Sequence, residues 1–263
     1  MKLAISTNTY HGFSLDAAIE GIMKTSIRNV ELLAVKGWTE HVLPDMEKGK
    51  LIEIKENLKV KGINVVAVDG HANMITEAGM KSLYAGIELA HQFNAEWFVS
   101  ELPQDCMPNS TKEYAQMIDR INELSEQCGK NGINIAFETR GTTYNTGTKI
   151  AKVIKDSGSR HAYVNYDPAN IMFFSDADPY VDLENCMEYV GLVHLKDKIG
   201  GVGVWNFPAL GSGEIDLPRI LKMLGNTPVV SIDVEFTEKG VESVDIVHKA
   251  LVESCEYIHS FGY

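Results

Sequence analysis

Eight times along these 263 residues a short apolar run rich in β-branched or aromatic residues is followed by a stretch with helical spacing. The strand candidates are residues 2–8, 28–34, 63–69, 96–101, 133–139, 162–167, 191–196 and 229–235. The helical stretches between them are 15–25, 48–61, 77–93, 111–130, 147–156, 181–189, 217–224 and 243–259. Eight βα units at a spacing of roughly thirty residues are the arithmetic of a closed (β/α)₈ barrel, a fold of about 250 residues. An open doubly wound sheet is the rival, because local pattern does not show whether the first and last strands pair. No long linker or low-complexity segment divides the chain, so one α/β domain over 1–263 is expected. Ser14, Ser110 and Asp216 stand where helix caps belong, the last before Leu217-Pro218. Gly62, Gly132 and Gly158 fall where a helix ends and a strand begins, which predicts left-handed exits.

In such a barrel the active site lies at the carboxyl ends of the strands. The last four apolar runs each stop at a ligand type: Ile135-Ala136-Phe137-Glu138, Val164-Asn165-Tyr166-Asp167, Leu192-Val193-His194 and Val230-Ser231-Ile232-Asp233. These strands are consecutive, so their ends form one arc of the mouth. Three carboxylates and an imidazole that meet there would hold one divalent cation. Hard oxygens with a single imidazole favour Mn²⁺ first, with Mg²⁺ or Co²⁺ as alternatives, over a structural zinc. Period two adds the next inward neighbours, Arg140, Lys196 and Glu235. Bland readings stand beside these. A lone strand-end carboxylate is commonly a helix cap or an ion-pair partner, His194 or His71 a satisfied core histidine, and Lys196-Asp197 a surface ion pair.

The net charge of −12, from 24 basic against 36 acidic residues, repels polyanions, and no basic run offsets it. Nucleic acid and anionic membrane surfaces are therefore expected to be excluded as partners, which leaves a neutral small molecule. Four cysteines form no CxxC pair and read as free thiols. No apolar run approaches the ~18 residues needed to span a bilayer, and Met1 to Phe13 lacks the basic start and apolar core of a signal peptide, so a cytoplasmic address is expected.

Val193-His194-Leu195-Lys196-Asp197, followed by Gly211-Ser212-Gly213-Glu214-Ile215-Asp216, resembles the "HLKD … GxGxID" signature of the xylose-isomerase-like barrel superfamily. That superfamily includes sugar isomerases, tagatose and psicose epimerases, inosose dehydratases and endonuclease IV. Ala136-Phe137-Glu138, Asp167-Pro168-Ala169-Asn170 and Ser231-Ile232-Asp233 also match, and the likeness spans nearly the whole chain. Carried over position by position, the resemblance implies metal ligation by Glu138, Asp167, His194 and Asp233, with the first and last doubling as acid and base. Two departures stand out. Relatives usually place glutamate where this chain has Asp233, with Glu235 two residues on, so either serves as ligand or catalyst. Many relatives carry Asn-His where this chain has Thr139-Arg140, so the sugar contact there differs.

The expected chemistry is metal-assisted proton abstraction beside a carbonyl of a ketose or keto-sugar, giving epimerisation or isomerisation. Loss of a β-substituent from the same intermediate would instead give a lyase or dehydratase acting on an inosose or 3-keto-glycoside. His71, Arg140, Asn170, Lys196 and Trp205 are the candidate substrate contacts, with Trp205 in a long Gly-rich loop, 200–208, that reads as a wall or lid. Endonuclease IV-like cleavage would need more histidine ligands and a basic face. A sugar-binding subunit without turnover is the non-enzymatic alternative. Outer barrel helices commonly build homo-oligomers, but no helix here marks an interface.

Overall fold

The computed structural model describes residues 1–106, 111–225 and 229–263. Eight parallel strands close into a barrel in the order β1 (Lys2–Ser6), β2 (Asn29–Leu33), β3 (Asn64–Asp69), β4 (Trp97–Ser100), β5 (Asn134–Glu138), β6 (Ala162–Tyr166), β7 (Val190–Leu195) and β9 (Val229–Ile232). Closure is by β1 against β9, with Lys2 opposite Val229 and Ile5 opposite Ile232, which decides for the barrel over the open sheet. The main helices are α1 (Leu15–Met23), α2 (Lys48–Val60), α3 (Glu77–Gln92), α4 (Thr111–Lys130), α5 (Gly147–Ser157), α6 (Pro168–Phe174), α7 (Pro179–Cys186), α8 (Leu217–Leu224) and α9 (Val244–His259). A two-residue strand β8 (Asn206–Phe207) pairs antiparallel with β10 (Phe236–Thr237) above the rim.

The local chemistry follows the sequence closely. Ser14 and Asp216 cap α1 and α8 by accepting from Ala17 N and Arg219 N. Gly62, Gly132 and Gly158 have φ of 68°, 70° and 65°. The expected cap at Ser110 lies outside the described residues. Several differences from expectation bear on the site and its surroundings. The first strand stops at Ser6, whose side chain caps a 3₁₀ turn over Thr7–Tyr10. The eighth barrel strand ends at Ile232, so Asp233 begins the loop beyond it. The helix expected over 181–189 starts at Pro179, because Asp178 accepts from Tyr180 N and Val181 N and proline suits the first turn, and it gives way to a 3₁₀ turn at Met187–Tyr189. Finally, Asp167 caps α6, a short helix that the pattern did not reveal.

One apolar core fills the space between strands and helices. A smaller one plugs the barrel interior, where Trp97, Tyr163, Leu192 and Val229 sit with Ala4, Val66, Ala67 and Ala136. Large and small side chains alternate there as a filled barrel requires. Gly191 makes room for the largest of them, since a Cβ at that position would lie 2.4 Å from the Trp97 ring. With this cluster packing the interior, the cavity that holds the polar strand ends lies at the carboxyl end of the barrel. All four cysteines are buried free thiols. Among the described residues no helix is long and apolar enough to cross a membrane.

Candidate metal centre

Period two carries each strand from apolar residues at the base to polar ones at the mouth. On β7 the inward series is Leu192, His194, Lys196, and on β5 it is Ala136, Glu138, Arg140. Glu138, Asp167 and His194 are buried at the ends of β5, β6 and β7, and one donor atom from each lies within 4.8 Å of the others. His194 Nδ1 is 3.0 Å from Glu138 Oε1, and His194 Nε2 is 3.0 Å from both oxygens of Glu31 on β2. Asp167 spends Oδ1 on the amides of Ala169 and Asn170 at the start of α6. Its buried Oδ2 faces only the Lys196 ammonium, 3.1 Å away.

Lys196 Nζ stands among the acids, 2.9 Å from Glu235, 3.1 Å from Asp167, 3.3 Å from Asp233 and 4.0 Å from Glu138. Lys196 is 2% exposed and Asp197 1%, so the surface ion-pair reading fails. Asp233 and Glu235 are further tied to Asn8 Nδ2, at 3.3 and 2.8 Å, and Asp233 to the Thr9 hydroxyl. Asp233 thus joins the other expected ligands through Lys196 rather than directly. Asn170 Nδ2 donates to Glu138 Oε1 at 3.1 Å. On the facing wall Arg140 NH1 donates to His71 Nδ1 at 2.9 Å, which leaves the ring proton on Nε2, 2.8 Å from Asp69 Oδ1. Arg140 also lies 3.3 Å from Glu101 and 3.8 Å from Glu138.

This crowding shifts the titration of the groups. Burial raises Asp167 to about 6 and Asp233 to about 7, against the lowering pull of Lys196, with Glu138 and Glu235 respectively adding to the rise. Burial would raise Glu138 too, but the hydrogen bond from His194 and the charge of Lys196 hold it well below the usual carboxylate range. Burial works against a charged His194, and Glu31 and Glu138 more than offset it, so its pKa is raised. His71 is likewise raised, Asp69 outweighing burial.

The donor set fits a divalent cation. Two ligands each about 2.1 Å from a common ion and at right angles are roughly 3.0 Å apart, the separation of His194 Nδ1 and Glu138 Oε1. Glu31 on the far nitrogen supplies the carboxylate–histidine arrangement that fixes the tautomer of a ligating imidazole. Asp167 adds a third donor within 4.8 Å of these two, its Oδ2 facing the Lys196 ammonium, and hard oxygens with one imidazole suit Mn²⁺, Mg²⁺ or Co²⁺. A second grouping, Glu31, Asp69 and His194, shares the same imidazole. There, however, Glu31 already accepts from His194 Nε2, and Asp69 faces His71.

Above these groups lies a cavity of about 360 Å³, with His71, Glu138, Arg140, Asn170, His194, Lys196, Asp233 and Glu235 among its lining. Trp38, Phe173, Trp205 and Phe207 form an aromatic side. Trp38 stacks on His11 with ring centroids 3.7 Å apart, and Trp205 is 6.2 Å from Trp38. Two residues after Lys196 build this wall. Asp197 accepts from the amides of Lys198, Gly211, Gly213 and Ile215 at 2.9–3.2 Å, folding the 208–216 loop around one carboxylate. A Cβ at Gly213 would lie 2.2 Å from that carboxylate, so glycine is needed for the approach. Lys198 Nζ donates to the carbonyls of Ile199, Gly200, Gly201 and Val204, which sets the loop that carries Trp205.

The sequence reading missed Asn8, Glu31, Trp38, Asp69, Glu101 and Phe173. Asp69 ends an apolar strand in a carboxylate, as the late strands do, and the same rule finds it. Glu31 is a lone charge inside Val30-Glu31-Leu32-Leu33, a weaker signal.

A family profile described as the xylose isomerase-like TIM barrel matches residues 25–254. No relative among functionally curated proteins matches the sequence. Among solved structures, a xylose isomerase domain protein from Planctomyces limnophilus superposes with a TM-score of 0.81 at 15% identity, covering 99% of this chain and 96% of its own. A D-psicose 3-epimerase solved in the presence of D-fructose superposes with a TM-score of 0.77 at 15% identity, covering 99% of each chain. The probable 3-DHS dehydratase AsbF of Bacillus anthracis, involved in petrobactin synthesis, gives 0.76 at 14% identity, covering 98% of this chain and 99% of its own. At these identities the likeness is one of fold.

Proposed function

This chain belongs to the xylose isomerase-like TIM-barrel family, and from that premise we propose that it is a metal-dependent isomerase or epimerase of an uncharged keto-sugar. The observation that carries the reading is the meeting of Glu138, Asp167 and His194 within 4.8 Å at the floor of a cavity flanked by further carboxylates. Glu138, Asp167 and His194 would hold the cation, with Asp233 as fourth ligand or Glu235 in its place. When bound, the cation stabilises the negative charge that develops as a proton leaves the carbon beside a carbonyl.

The chain's own residues supply the rest. Glu138 and the Asp233–Glu235 pair come from the ends of different strands and both border Lys196, at 4.0 Å and at 3.3 and 2.9 Å, so a sugar over Lys196 would meet a carboxylate from each. One carboxylate takes the proton from one face and the other returns it. Return to the same carbon from the other face inverts that centre, and return to the neighbouring carbon moves the carbonyl. Lys196, Asn170, Arg140 and His71 hold hydroxyls, and Trp205 closes the wall against water.

The charge balance selects an uncharged substrate. The charge of Arg140 is balanced by Glu101 and Glu138 and that of Lys196 by four acids, so a phosphate or carboxylate would meet no net positive charge there. The same balance disfavours a phosphodiester. A lyase or dehydratase reading follows if the substrate carries a leaving group one carbon on, and the likeness to a dehydratase, as strong as that to an epimerase, favours keeping it as the second reading.

The test is a screen of uncharged ketoses, keto-inositols and 3-keto-glycosides in D₂O with Mn²⁺. Deuterium is expected at the carbon beside the carbonyl, only with metal, and not with Glu138→Gln. Exchange that persists without metal, or no exchange with any of these compounds, overturns the reading. The product of an active compound separates isomerase from lyase.

A further inference from the structure

We infer that the substrate is a two-part molecule: a polar sugar in the main cavity and an apolar, ring-sized group, such as the aglycone of a glycoside, in a separate side pocket. The inference rests on the keto-sugar reading only for which end enters the main cavity. The side pocket has a volume of about 250 Å³ and lies between the loop after β2, the exit of β3 and the face of α3. It adjoins the main cavity through a shared wall of Lys36, His71 and Ala72.

The two compartments differ in chemistry. The main cavity presents carboxylates, Lys196 and Arg140 on its floor and sides. The side pocket presents Leu43, Pro44, Leu83, Ala85 and Phe98, with Lys36, Asp45, His71, Lys81 and Ser82 as its polar members. Phe98 reaches this position because Gly70 and Gly86 carry no side chain, and a Cβ at Gly86 would lie 2.7 Å from its ring. An apolar cavity of ~150 Å³ is enough to take benzene, so this pocket has room for an aromatic ring. The main cavity, at about 360 Å³, lies near the lower end of the range for small-molecule sites and suits a single sugar. His71 stands on the shared wall, tied to Arg140 and beside Asp69, where it meets the bond that joins the two parts.

The test compares binding of phenyl and methyl glucosides, both anomers, to the metal-loaded protein by calorimetry. It needs no turnover, so it is independent of the exchange screen. The phenyl compound is expected to bind roughly tenfold tighter, the scale of burying one ring. Ala85→Phe, on α3 and only in the side pocket, is expected to abolish that preference while leaving methyl glucoside binding within about twofold. If that variant does not fold, Ala85→Leu carries the same comparison. Equal affinity of the two glucosides, failure of both to bind, or a phenyl preference that survives the filled pocket overturns the inference. In the last case Trp38 and Trp205 are the ring's partners.

Discussion

The early and the late strands both bury carboxylates at the barrel mouth, but against different partners. On the early side Glu31 accepts from His194 Nε2 through both oxygens, and Asp69 faces His71. On the late side Glu138, Asp167, Asp233 and Glu235 all lie within 2.9–4.0 Å of one ammonium, Lys196 Nζ. An acid paired with one ring fixes that ring's proton and orientation, whereas acids converging on one point present lone pairs for a cation. The contrast separates residues that position from residues that bind.

The largest expected effect tests the late side. Glu138→Gln should leave the fold intact by circular dichroism and lower solvent exchange of an active substrate by about 10³-fold, the usual scale for removing a general base. Exchange within tenfold of the parent would remove Glu138 from the chemistry. Next comes the rim. Asp197→Ala strands four amides that one buried carboxylate satisfies, and chemical denaturation should show a loss of ~3 kcal/mol. A loss under ~1 kcal/mol would mean the 208–216 loop holds itself.

The early side is tested by Glu31→Gln, which should weaken Mn²⁺ binding by about 10- to 100-fold, as expected for removing a carboxylate behind a ligating histidine. Unchanged Mn²⁺ affinity by titration calorimetry would collapse the distinction between the two arcs. The smallest effect lies away from the site. Burial lowers the pKa of His41 in the fold below its ordinary 6.5. The unfolded chain therefore takes up the proton first, and this stability is complete above pH 6.5 and lost as pH falls toward the lower folded value. Denaturation curves for His41→Gln should fall less steeply than the parent between pH 7 and 5. Parallel curves would show that His41 does not contribute.

The late arc was legible in the sequence because its strands end in ligand types after clean apolar runs and keep period two past the strand end, which brought Arg140, Lys196 and Glu235 inward as expected. The early arc was not, for identifiable reasons. Asn8 lies in a 3₁₀ turn that begins where Ser6 caps the chain, two residues before the expected end of the strand. Glu31 sits mid-strand beside a register shift at Val30 and Glu31, and its partner is 163 residues away. α6 is seven residues long, too short for periodicity to detect, and its cap is the same Asp167 that reads as a strand-end ligand. The signature around Lys196-Asp197 was visible as a likeness. Its physical cause, one carboxylate gathering amides 14 to 18 residues along the chain, needed coordinates.

The central claim is that one cation is held where Glu138, Asp167 and His194 meet. Anomalous diffraction at the manganese edge, from crystals grown with Mn²⁺, tests it most directly. The account predicts a single strong peak about 2.1–2.3 Å from Glu138, Asp167 and His194 Nδ1, with the fourth protein ligand identified as Asp233 or Glu235. No peak at that point, with Lys196 still seated among the acids at saturating Mn²⁺, would contradict it.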